Sequence, residues 1–366
     1  MKHLSVLIKP ASSLCNLRCE YCFYANISSL RDLESYGNMT KETTERMIDQ
    51  IAIDLDEGDE MTFAFQGGEP TLAGIRYYQH FTNYAENRLK KVKIHYAIQT
   101  NGTLLDQEWV DLFEKYNFLV GLSIDGCPRF HNRYRLDTRN EGTYSKVLES
   151  KKLLDESSLD YNILSVLTED MAQAPNEIFD YLMEEDIRFI QFIPCLDDLD
   201  AEEKSDFALT PSSFASFYKT IFKRWQEEWK KKNYYSIQLI DSVINLLAGR
   251  GIGMCGLTGN CSIQFIIEGD GTVFPCDFYA LDNYKLGNIK DSTLFELRKT
   301  RAAEYFLCSS SEISDYCKSC PFLKMCNGGC KRMKHSMYLN KEETYCGYQD
   351  FLTESWQEIA RIVQSF

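Results

Sequence analysis

Residues 15–24, which read Cys-Asn-Leu-Arg-Cys-Glu-Tyr-Cys-Phe-Tyr, place three cysteines in a C-x3-C-x2-C run directly after a short apolar stretch at residues 4–8. Three thiolates can hold three irons of a [4Fe–4S] cluster and leave the fourth iron open to another ligand. A closed zinc site needs a fourth protein ligand, and no cysteine or histidine lies within the next thirty residues. The run therefore predicts a catalytic iron–sulfur cluster, and a zinc site or a chance grouping is the alternative.

Short β-rich runs alternate with amphipathic stretches along the first half of the chain. The predicted strands lie at residues 4–8, 62–65, 94–99, 118–124, 160–167 and 189–193. Apolar residues at intervals of three and four predict helices between them, at residues 41–55, 75–89 and 177–184. Six β-then-α units predict an α/β fold in which a parallel sheet curls into a partial (β/α)6 TIM-like barrel. The functional loops should then lie at the C-terminal ends of the strands.

The composition changes from about residue 235 onward, where cysteine and glycine become dense and the α/β alternation stops. Short strands are predicted at residues 264–267 and 273–275, and an amphipathic helix at residues 350–363. A region with so little apolar periodicity needs crosslinks to hold it together, and metal clusters can provide them. We therefore predict a barrel domain at residues 1–235 and a cysteine-rich domain with a C-terminal helix at residues 236–366.

The overall charge and the cysteine content restrict the function classes. A formal net charge of −14 disfavours binding to nucleic acid or to an anionic membrane surface. The sequence shows neither a signal-peptide pattern nor an apolar run of the roughly 20 residues that a membrane span needs. We therefore expect a monomer in the cytoplasm with no nucleic-acid or membrane partner. In that reduced compartment, fourteen cysteines indicate metal or redox chemistry rather than disulfides.

The run at residues 15–24 resembles the hallmark of the radical S-adenosylmethionine (SAM) superfamily, including the aromatic residue before the third cysteine. The segment Gly67-Gly68-Glu69-Pro70 follows the second predicted strand and resembles the GGE motif, which in that superfamily receives the methionine amino group of SAM. The resemblance implies a catalytic cluster on Cys15, Cys19 and Cys22. It also implies contacts to SAM from Tyr21, Gly67, Gly68, Glu69, Ser123, Arg135 and Leu196. A surface ion pair is the alternative role for Arg135.

Eight cysteines of the C-terminal region have the spacing of the SPASM extension found in some radical SAM enzymes, and eight thiolates suffice for two closed four-iron clusters. The resemblance assigns one auxiliary cluster to Cys255, Cys261, Cys276 and Cys330. It assigns the other to Cys317, Cys320, Cys326 and Cys346. Two zinc-ribbon-like sites are the alternative. Of the remaining cysteines, Cys127 and Cys195 are predicted core residues, and Cys308 is an alternative ligand.

Longer segments resemble the anaerobic sulfatase-maturating enzymes, and the resemblance covers essentially the whole chain. They lie at residues 7–13, 63–74, 274–279, 286–289 and 326–330. Members of that family use SAM and three [4Fe–4S] clusters to oxidise an active-site cysteine or serine of a sulfatase to Cα-formylglycine without oxygen. The implied partners are a sulfatase polypeptide with a C/S-x-P-x-R motif and a low-potential electron donor such as ferredoxin or flavodoxin.

Asp277 is the predicted catalytic base. After a hydrogen atom is removed from Cβ of the target residue, the oxidation still requires the loss of one proton and one electron, and a nearby carboxylate suits the proton. Asp277 directly follows Cys276, a predicted cluster ligand, and the resemblance assigns it the same role. A solvated turn residue is the alternative for Asp277. Tyr24 is predicted either to seat the substrate or to be a buried structural residue.

Two other functions stay open. A ribosomal-peptide maturase of the same architecture would form thioether or carbon–carbon crosslinks. Such enzymes commonly carry a peptide-binding domain before the barrel, whereas the first strand here is predicted at residue 4. An iron–sulfur electron carrier or a zinc-stabilised interaction protein would need neither an open three-cysteine site nor a GGE loop. The leading interpretation is therefore a sulfatase-maturating oxidoreductase.

Overall fold

The computed structural model describes residues 1–251, 253–309 and 312–365. The strands are β1 (His3–Ile8), β2 (Glu60–Phe65), β3 (Lys93–Thr100), β4 (Phe118–Ser123), β5 (Tyr161–Leu167), β6 (Phe189–Pro194), β7 (Ser236–Ile237), β8 (Ile266–Ile267), β9 (Thr272–Phe274) and β10 (Gly287–Asn288). The helices are α1 (Phe23–Ser29), α2 (Lys41–Ile53), α3 (Ile75–Arg88), α4 (Gln107–Lys115), α5 (Pro128–Tyr134), α6 (Tyr144–Asp155), α7 (Glu169–Ala172), α8 (Pro175–Glu184), α9 (Pro211–Lys230), α10 (Gln238–Leu247), α11 (Leu294–Arg298), α12 (Arg301–Cys308), α13 (Asp315–Lys318), α14 (Leu323–Cys326) and α15 (Gly347–Gln364). None of these described helices is both long enough and apolar enough to span a bilayer.

The alternation of strands and helices that the sequence predicts is confirmed. Each of β1 to β6 begins and ends within two residues of its predicted bounds. The strand predicted at residues 264–267 is shorter than expected and begins only at Ile266. Phe265 has a backbone φ of 51°, in the left-handed region that an extended strand cannot contain, and this explains the late start.

Packing divides the chain into two compact units. Unit 1 comprises Met1–Ser123, Arg135–Tyr161 and Ser262–Ser309. Unit 2 comprises Ile124–Tyr134, Asn162–Cys261 and the described part of Ser310–Phe366. Each unit combines segments from the N-terminal and C-terminal halves of the sequence. The two packing units therefore do not correspond to the two predicted sequence domains, and the domain boundary between residues 235 and 236 stays a prediction.

The sheet of unit 1 has the strand order β10-β9-β8-β1-β2-β3-β4. Strands β1 to β4 are parallel to one another, and β8 extends the sheet by pairing in parallel with β1. In this register Ile8 lies opposite both Phe65 and Ile267. The C-terminal ends of β1, β2 and β8 therefore lie side by side, and the residues that follow these three strands meet at one edge of the sheet.

Aromatic side chains fill the space between this sheet and its helices. Phe63 and Phe65 of β2 are almost fully buried, and each packs edge-on against Phe81 of α3, with ring centroids 5.0 and 4.9 Å apart. Such contacts add about 0.5–1.5 kcal/mol each beyond the area that they bury. This core provides the rigid base from which the loops at the edge of the sheet project.

In unit 2, β5, β6 and β7 are parallel neighbours, and α9 and α15 pack against each other. Tyr218 of α9 lies 5.8 Å from Phe351 of α15, between ring centroids, and Lys219 Nζ contacts Asp350 Oδ1 at 2.7 Å. Helix α15 begins directly after Cys346, whose Sγ accepts a hydrogen bond from the backbone N–H of Gln349 at 3.4 Å. The helix thus fixes the position of one predicted cluster ligand.

Candidate active site and cluster-binding cysteines

The first three cysteines lie in the loop between β1 and α1. Cys22 occupies the N-cap position of α1, and Cys15 Sγ accepts a hydrogen bond from the backbone N–H of Leu17 at 3.3 Å. Asn101, which follows β3, places its Nδ2 at 3.9 Å from Cys15 Sγ. Burial, with smaller contributions from the charges of Glu69 and Cys22, raises the pKa of the Cys15 thiol to about 11. Coordination to iron would instead hold this sulfur as a thiolate.

The GGE loop lies directly against the cysteine loop. The backbone N–H of Gly68 donates to Ser12 O at 2.9 Å, and that of Glu69 donates to Leu14 O at 2.8 Å. A Cβ atom on Gly68 would lie 2.1 Å from Leu14 O, and one on Gly67, whose φ is 133°, would lie 2.8 Å from Ser12 O. Glycine is therefore required at both positions for the two loops to come this close.

The carboxylate of Glu69 is buried, and its oxygens accept four hydrogen bonds from other groups of the protein. It accepts hydrogen bonds from Thr71 N–H at 3.0 Å, Thr71 Oγ1 at 2.6 Å, Thr100 Oγ1 at 2.8 Å and Asn101 N–H at 2.8 Å. Burial raises the pKa of Glu69, although these hydrogen bonds act in the opposite direction. The side chain ties the end of β2 to the end of β3, so backbone carbonyls are the groups that this motif can offer to a ligand.

The other predicted SAM contacts are also buried. Ser123 ends β4, and its Oγ accepts a hydrogen bond from Gln99 Nε2 at 3.0 Å. The Arg135 guanidinium lies 5.6 Å from the centre of the Tyr21 ring, and burial of Arg135 argues against its alternative role in a surface ion pair. Leu196, two residues after β6, is a buried residue of unit 2.

Asp277 lies in unit 1, where a short 3-10 turn (Asp277–Tyr279) follows Cys276. Its Oδ1 is 2.5 Å from Lys9 Nζ, and its Oδ2 accepts a hydrogen bond from Gln66 Nε2 at 3.4 Å. The side chain is 14% exposed, so Asp277 is not the solvated turn residue of the alternative prediction. The next residue, Phe278, packs edge-on against Phe23 of α1 at 4.8 Å between ring centroids, which brings this turn to the helix that Cys22 caps.

Tyr24 is buried within a polar network, as the structural alternative predicts, and is not exposed to contact a substrate. Its hydroxyl donates to Glu268 Oε1 at 2.6 Å, and Arg31 contacts the same oxygen at 2.7 Å. Ser12 Oγ donates to Glu268 Oε2 at 2.9 Å. Burial and then the charge of Glu268 raise the pKa of Tyr24 well above its usual value. The side chains of Arg31 and Glu268 are completely buried, and removing one partner of such a pair costs about 3–5 kcal/mol.

Four of the predicted auxiliary-cluster ligands line one pocket of unit 2. These are Cys317, Cys320, Cys326 and Cys346. The rings of Tyr316, Phe322, Tyr338 and Tyr348 line the same pocket. Burial raises the pKa of Cys346 to about 12, and the neighbouring thiols of Cys326 and Cys317 contribute to that rise. A largely apolar pocket with four converging thiols fits a closed four-iron cluster.

A second group in unit 2 contains Cys255, Cys261 and Cys330. Partial burial raises the pKa of Cys255, and Cys330 and Cys261 act in the same direction. A Cβ atom on Gly256 would lie 2.6 Å from Cys330 Cβ. Cys330 thus lies directly against Gly256, the residue after Cys255, even though it ends the local cysteine run at residues 317–330. The fourth ligand predicted for this cluster, Cys276, belongs to unit 1.

The described residues contain no group of three His, Cys, Asp or Glu side chains placed to hold a single metal ion. Cys195 is buried, as predicted. The prediction that Cys127 is a core residue is wrong, because it is partly exposed and donates to Glu177 Oε1 at 3.3 Å. Cys308 is exposed at the end of α12.

Several residues of the site were missed in the sequence. Lys9, Gln66 and Glu268 all contact predicted site residues, but none of the three was assigned a role. A lysine and a glutamate that directly follow apolar strands are a usable signal, since such residues are rarely buried unless they are paired. Which partner each would find could not be read from the sequence.

Two family models match the chain. The model described as the radical SAM superfamily matches residues 10–182, and one described as an iron–sulfur cluster-binding domain (SPASM) matches residues 257–321. A cysteine-type anaerobic sulfatase-maturating enzyme of Clostridium perfringens (strain 13 / Type A) is 39% identical over 100% of both chains. One of Clostridium novyi (strain NT) is 36% identical over 100% of this chain and 98% of its own. A serine-type enzyme of Bacteroides thetaiotaomicron is 30% identical over 92% of this chain and 84% of its own.

The fold is similar to that of a solved structure described as native anSMEcpe with bound AdoMet and Kp18Cys peptide. That chain is 36% identical, the match covers 100% of both chains, and the TM-score is 0.90. This similarity confirms the predicted fold class, a partial (β/α)6 barrel with a cysteine-rich SPASM domain.

Proposed function

This chain belongs to the anaerobic sulfatase-maturating enzymes, and on that premise we propose that it oxidises a cysteine in the active site of a sulfatase to Cα-formylglycine. It is a radical SAM oxidoreductase whose cofactors are SAM and three [4Fe–4S] clusters. The full-length identity of 36–39% to enzymes of this family favours sulfatase maturation over crosslinking of a ribosomal peptide.

We propose the following ligands for the clusters. The catalytic cluster is held by Cys15, Cys19 and Cys22. One auxiliary cluster is held by Cys317, Cys320, Cys326 and Cys346, and the other by Cys255, Cys261, Cys276 and Cys330. Support comes from the pocket that Cys317, Cys320, Cys326 and Cys346 share, and from the position of Cys330 directly against Gly256, the residue after Cys255.

The residues proposed to bind SAM are Tyr21, Gly67, Gly68, Glu69, Ser123, Arg135 and Leu196. Because four hydrogen bonds from the protein occupy the Glu69 carboxylate, the methionine amino group should meet backbone carbonyls of the GGE motif. Glu69 itself then acts by holding the motif in place. The glycines let the motif lie against the cysteine loop without a clash.

When bound, SAM and the catalytic cluster supply the radical that removes a hydrogen atom from Cβ of the target cysteine. In our proposal Asp277 then accepts the thiol proton, and an auxiliary cluster, when bound, would take up the one electron that leaves the substrate, so that a carbon–sulfur double bond forms. Addition of water and loss of hydrogen sulfide give the aldehyde. The observation that carries this role is the position of Asp277, which directly follows proposed ligand Cys276 and whose two oxygens contact Lys9 and Gln66.

Cysteine rather than serine is the proposed target, because the cysteine-type relatives are 36–39% identical and the serine-type relatives 27–30%. The test is an anaerobic competition between two peptides that share a C/S-x-P-x-R motif and differ only in the target residue. We expect the cysteine peptide to be converted at least about tenfold faster, as a difference of about 1.4 kcal/mol in transition-state binding would give. Equal rates, or a preference for serine, would contradict a cysteine-type enzyme.

The remaining partners are also proposals. The client is a sulfatase polypeptide with this motif, and a low-potential donor such as ferredoxin or flavodoxin supplies the electrons. Eleven proposed cluster ligands require a compartment that keeps thiols reduced, which supports a location in the cytoplasm. We propose that the chain acts there as a monomer, without a nucleic-acid or membrane partner.

A further inference from the structure

Lys9 is a completely buried lysine at the C-terminal end of β1. Its backbone N–H donates to Ile267 O of β8 at 2.8 Å, and a Cβ atom on Gly67 would lie only 3.2 Å from Lys9 Cβ. The side chain is therefore enclosed between β8 and the GGE loop, with a side-chain exposure of 0%. Burial of a charged lysine is costly unless the charge is paired, so its partner identifies its role.

The ammonium group of Lys9 has two close contacts. Asp277 Oδ1 lies 2.5 Å from Nζ, and the centre of the Tyr24 ring lies 3.2 Å from Nζ. The first contact is an ion pair without hydrogen-bond alignment, and the second is a cation–π contact. Neither is a contact to a proposed cluster ligand.

Tyr24 is itself immobilised, so it gives Lys9 a fixed support. Its hydroxyl donates to Glu268, and Arg31 and Ser12 hold the two oxygens of that carboxylate. Glu268 is thus already neutralised by Arg31, and this leaves Asp277 as the acid that pairs with Lys9. A chain of contacts therefore leads from a rigid buried ion pair, through Tyr24 and Lys9, to the proposed base.

We propose that Lys9 is a positioning residue that holds one oxygen of Asp277, so that the other oxygen is aimed at the substrate thiol. This inference rests on the proposed role of Asp277. Because Oδ1 is held by an ion pair and Oδ2 has one long contact from Gln66, Oδ2 is the oxygen that can accept the proton. Without Lys9, the Asp277 side chain would sample other staggered rotamers, and the carboxylate would miss the thiol in most of them.

The test is the variant Lys9→Met, which keeps an unbranched side chain of similar length but removes the charge. Formylglycine and 5′-deoxyadenosine are measured together under anaerobic reducing conditions. We expect the ratio of formylglycine to 5′-deoxyadenosine to fall about 10- to 100-fold, the usual cost of a misplaced catalytic group. The rate of 5′-deoxyadenosine formation should stay within about twofold of wild type, because methionine keeps the Cβ and Cγ atoms that pack against Gly67, and Lys9 does not contact the proposed cluster ligands.

A double-variant cycle separates positioning from a general structural role. If Lys9 acts through Asp277, adding Lys9→Met to Asp277→Asn should not lower the product ratio further. A structural role would give additive losses and would lower 5′-deoxyadenosine formation as well. Iron content and the thermal unfolding midpoint show whether the variant is folded. If Lys9→Met is not folded, Lys9→Gln is used with the same expected ratio.

Lys151→Met is the matched control, since Lys151 is also a nearly buried lysine of unit 1, paired with Asp155 at 2.8 Å in α6. It should leave the product ratio unchanged. The proposal is overturned if Lys9→Met keeps the wild-type ratio, or if its effect adds to that of Asp277→Asn. Failure of the proposed function would look different, because the wild-type enzyme would then make 5′-deoxyadenosine without formylglycine.

Discussion

Asp277→Asn should leave the cleavage of SAM intact and lower formylglycine formation by about 10²- to 10⁴-fold, the range that a general base contributes. The amide has the shape of the carboxylate, but it cannot accept the thiol proton. Hydrogen-atom removal does not require that proton transfer, so 5′-deoxyadenosine should continue to form. The measurement is the yield of both products by liquid chromatography and mass spectrometry at equal iron loading.

Asp291→Asn provides the control for Asp277→Asn. Asp291 is an exposed aspartate of the same unit, and its replacement should change neither product. The Asp277→Asn variant leaves the buried ammonium of Lys9 without its anionic partner, so its thermal midpoint is compared with that of wild type before the yields are interpreted. Wild-type yields of formylglycine from a folded Asp277→Asn enzyme would rule out Asp277 as the base.

Replacement of Cys15 by alanine should abolish SAM cleavage and reduce the iron content from about twelve to about eight per chain, one four-iron cluster less. The two cysteines that stay in the loop cannot hold three corners of a cubane. Iron per chain and 5′-deoxyadenosine are the two measurements.

Two further cysteine variants serve as comparisons for Cys15→Ala. Cys346→Ala should also lose about four irons, from the pocket it shares with Cys317, Cys320 and Cys326, yet it should still cleave SAM. Cys308→Ala should lose neither iron nor activity, because Cys308 is exposed and outside all three groups. If Cys308→Ala lost iron while Cys346→Ala kept about twelve irons per chain, Cys308 would replace Cys346 as the assigned ligand.

The parts of the fold that follow from local pattern were predictable. Strands β1 to β6 are apolar runs bounded by polar segments, and each lies where that pattern places it. The cysteine groups were predictable because metal ligation constrains spacing in the chain. The pairing of β8 with β1 was not predictable, since a two-residue strand carries no periodicity. That pairing is what brings Asp277 to Lys9, so the positioning of the base could not be inferred from the sequence.

The role of Glu69 also could not be predicted from the sequence. The GGE motif draws attention to the loop after β2, but it does not show whether the side chain or the backbone is available to a ligand. The structure places Thr71, Thr100 and Asn101 around the carboxylate, and they satisfy it completely. Hydrogen-bond saturation depends on neighbours from another strand, which is information that a single segment of sequence does not contain.

The most direct test of the proposed chemistry is the mass of a C-x-P-x-R peptide after anaerobic incubation with the reduced enzyme and SAM. Conversion of cysteine to formylglycine replaces one sulfur and two hydrogens by one oxygen, and the product then reacts with a hydrazine as an aldehyde does. We expect this mass change together with the formation of 5′-deoxyadenosine. A product that has lost two hydrogens and kept its sulfur, as a crosslink would, or an unchanged peptide beside 5′-deoxyadenosine, would contradict formylglycine formation.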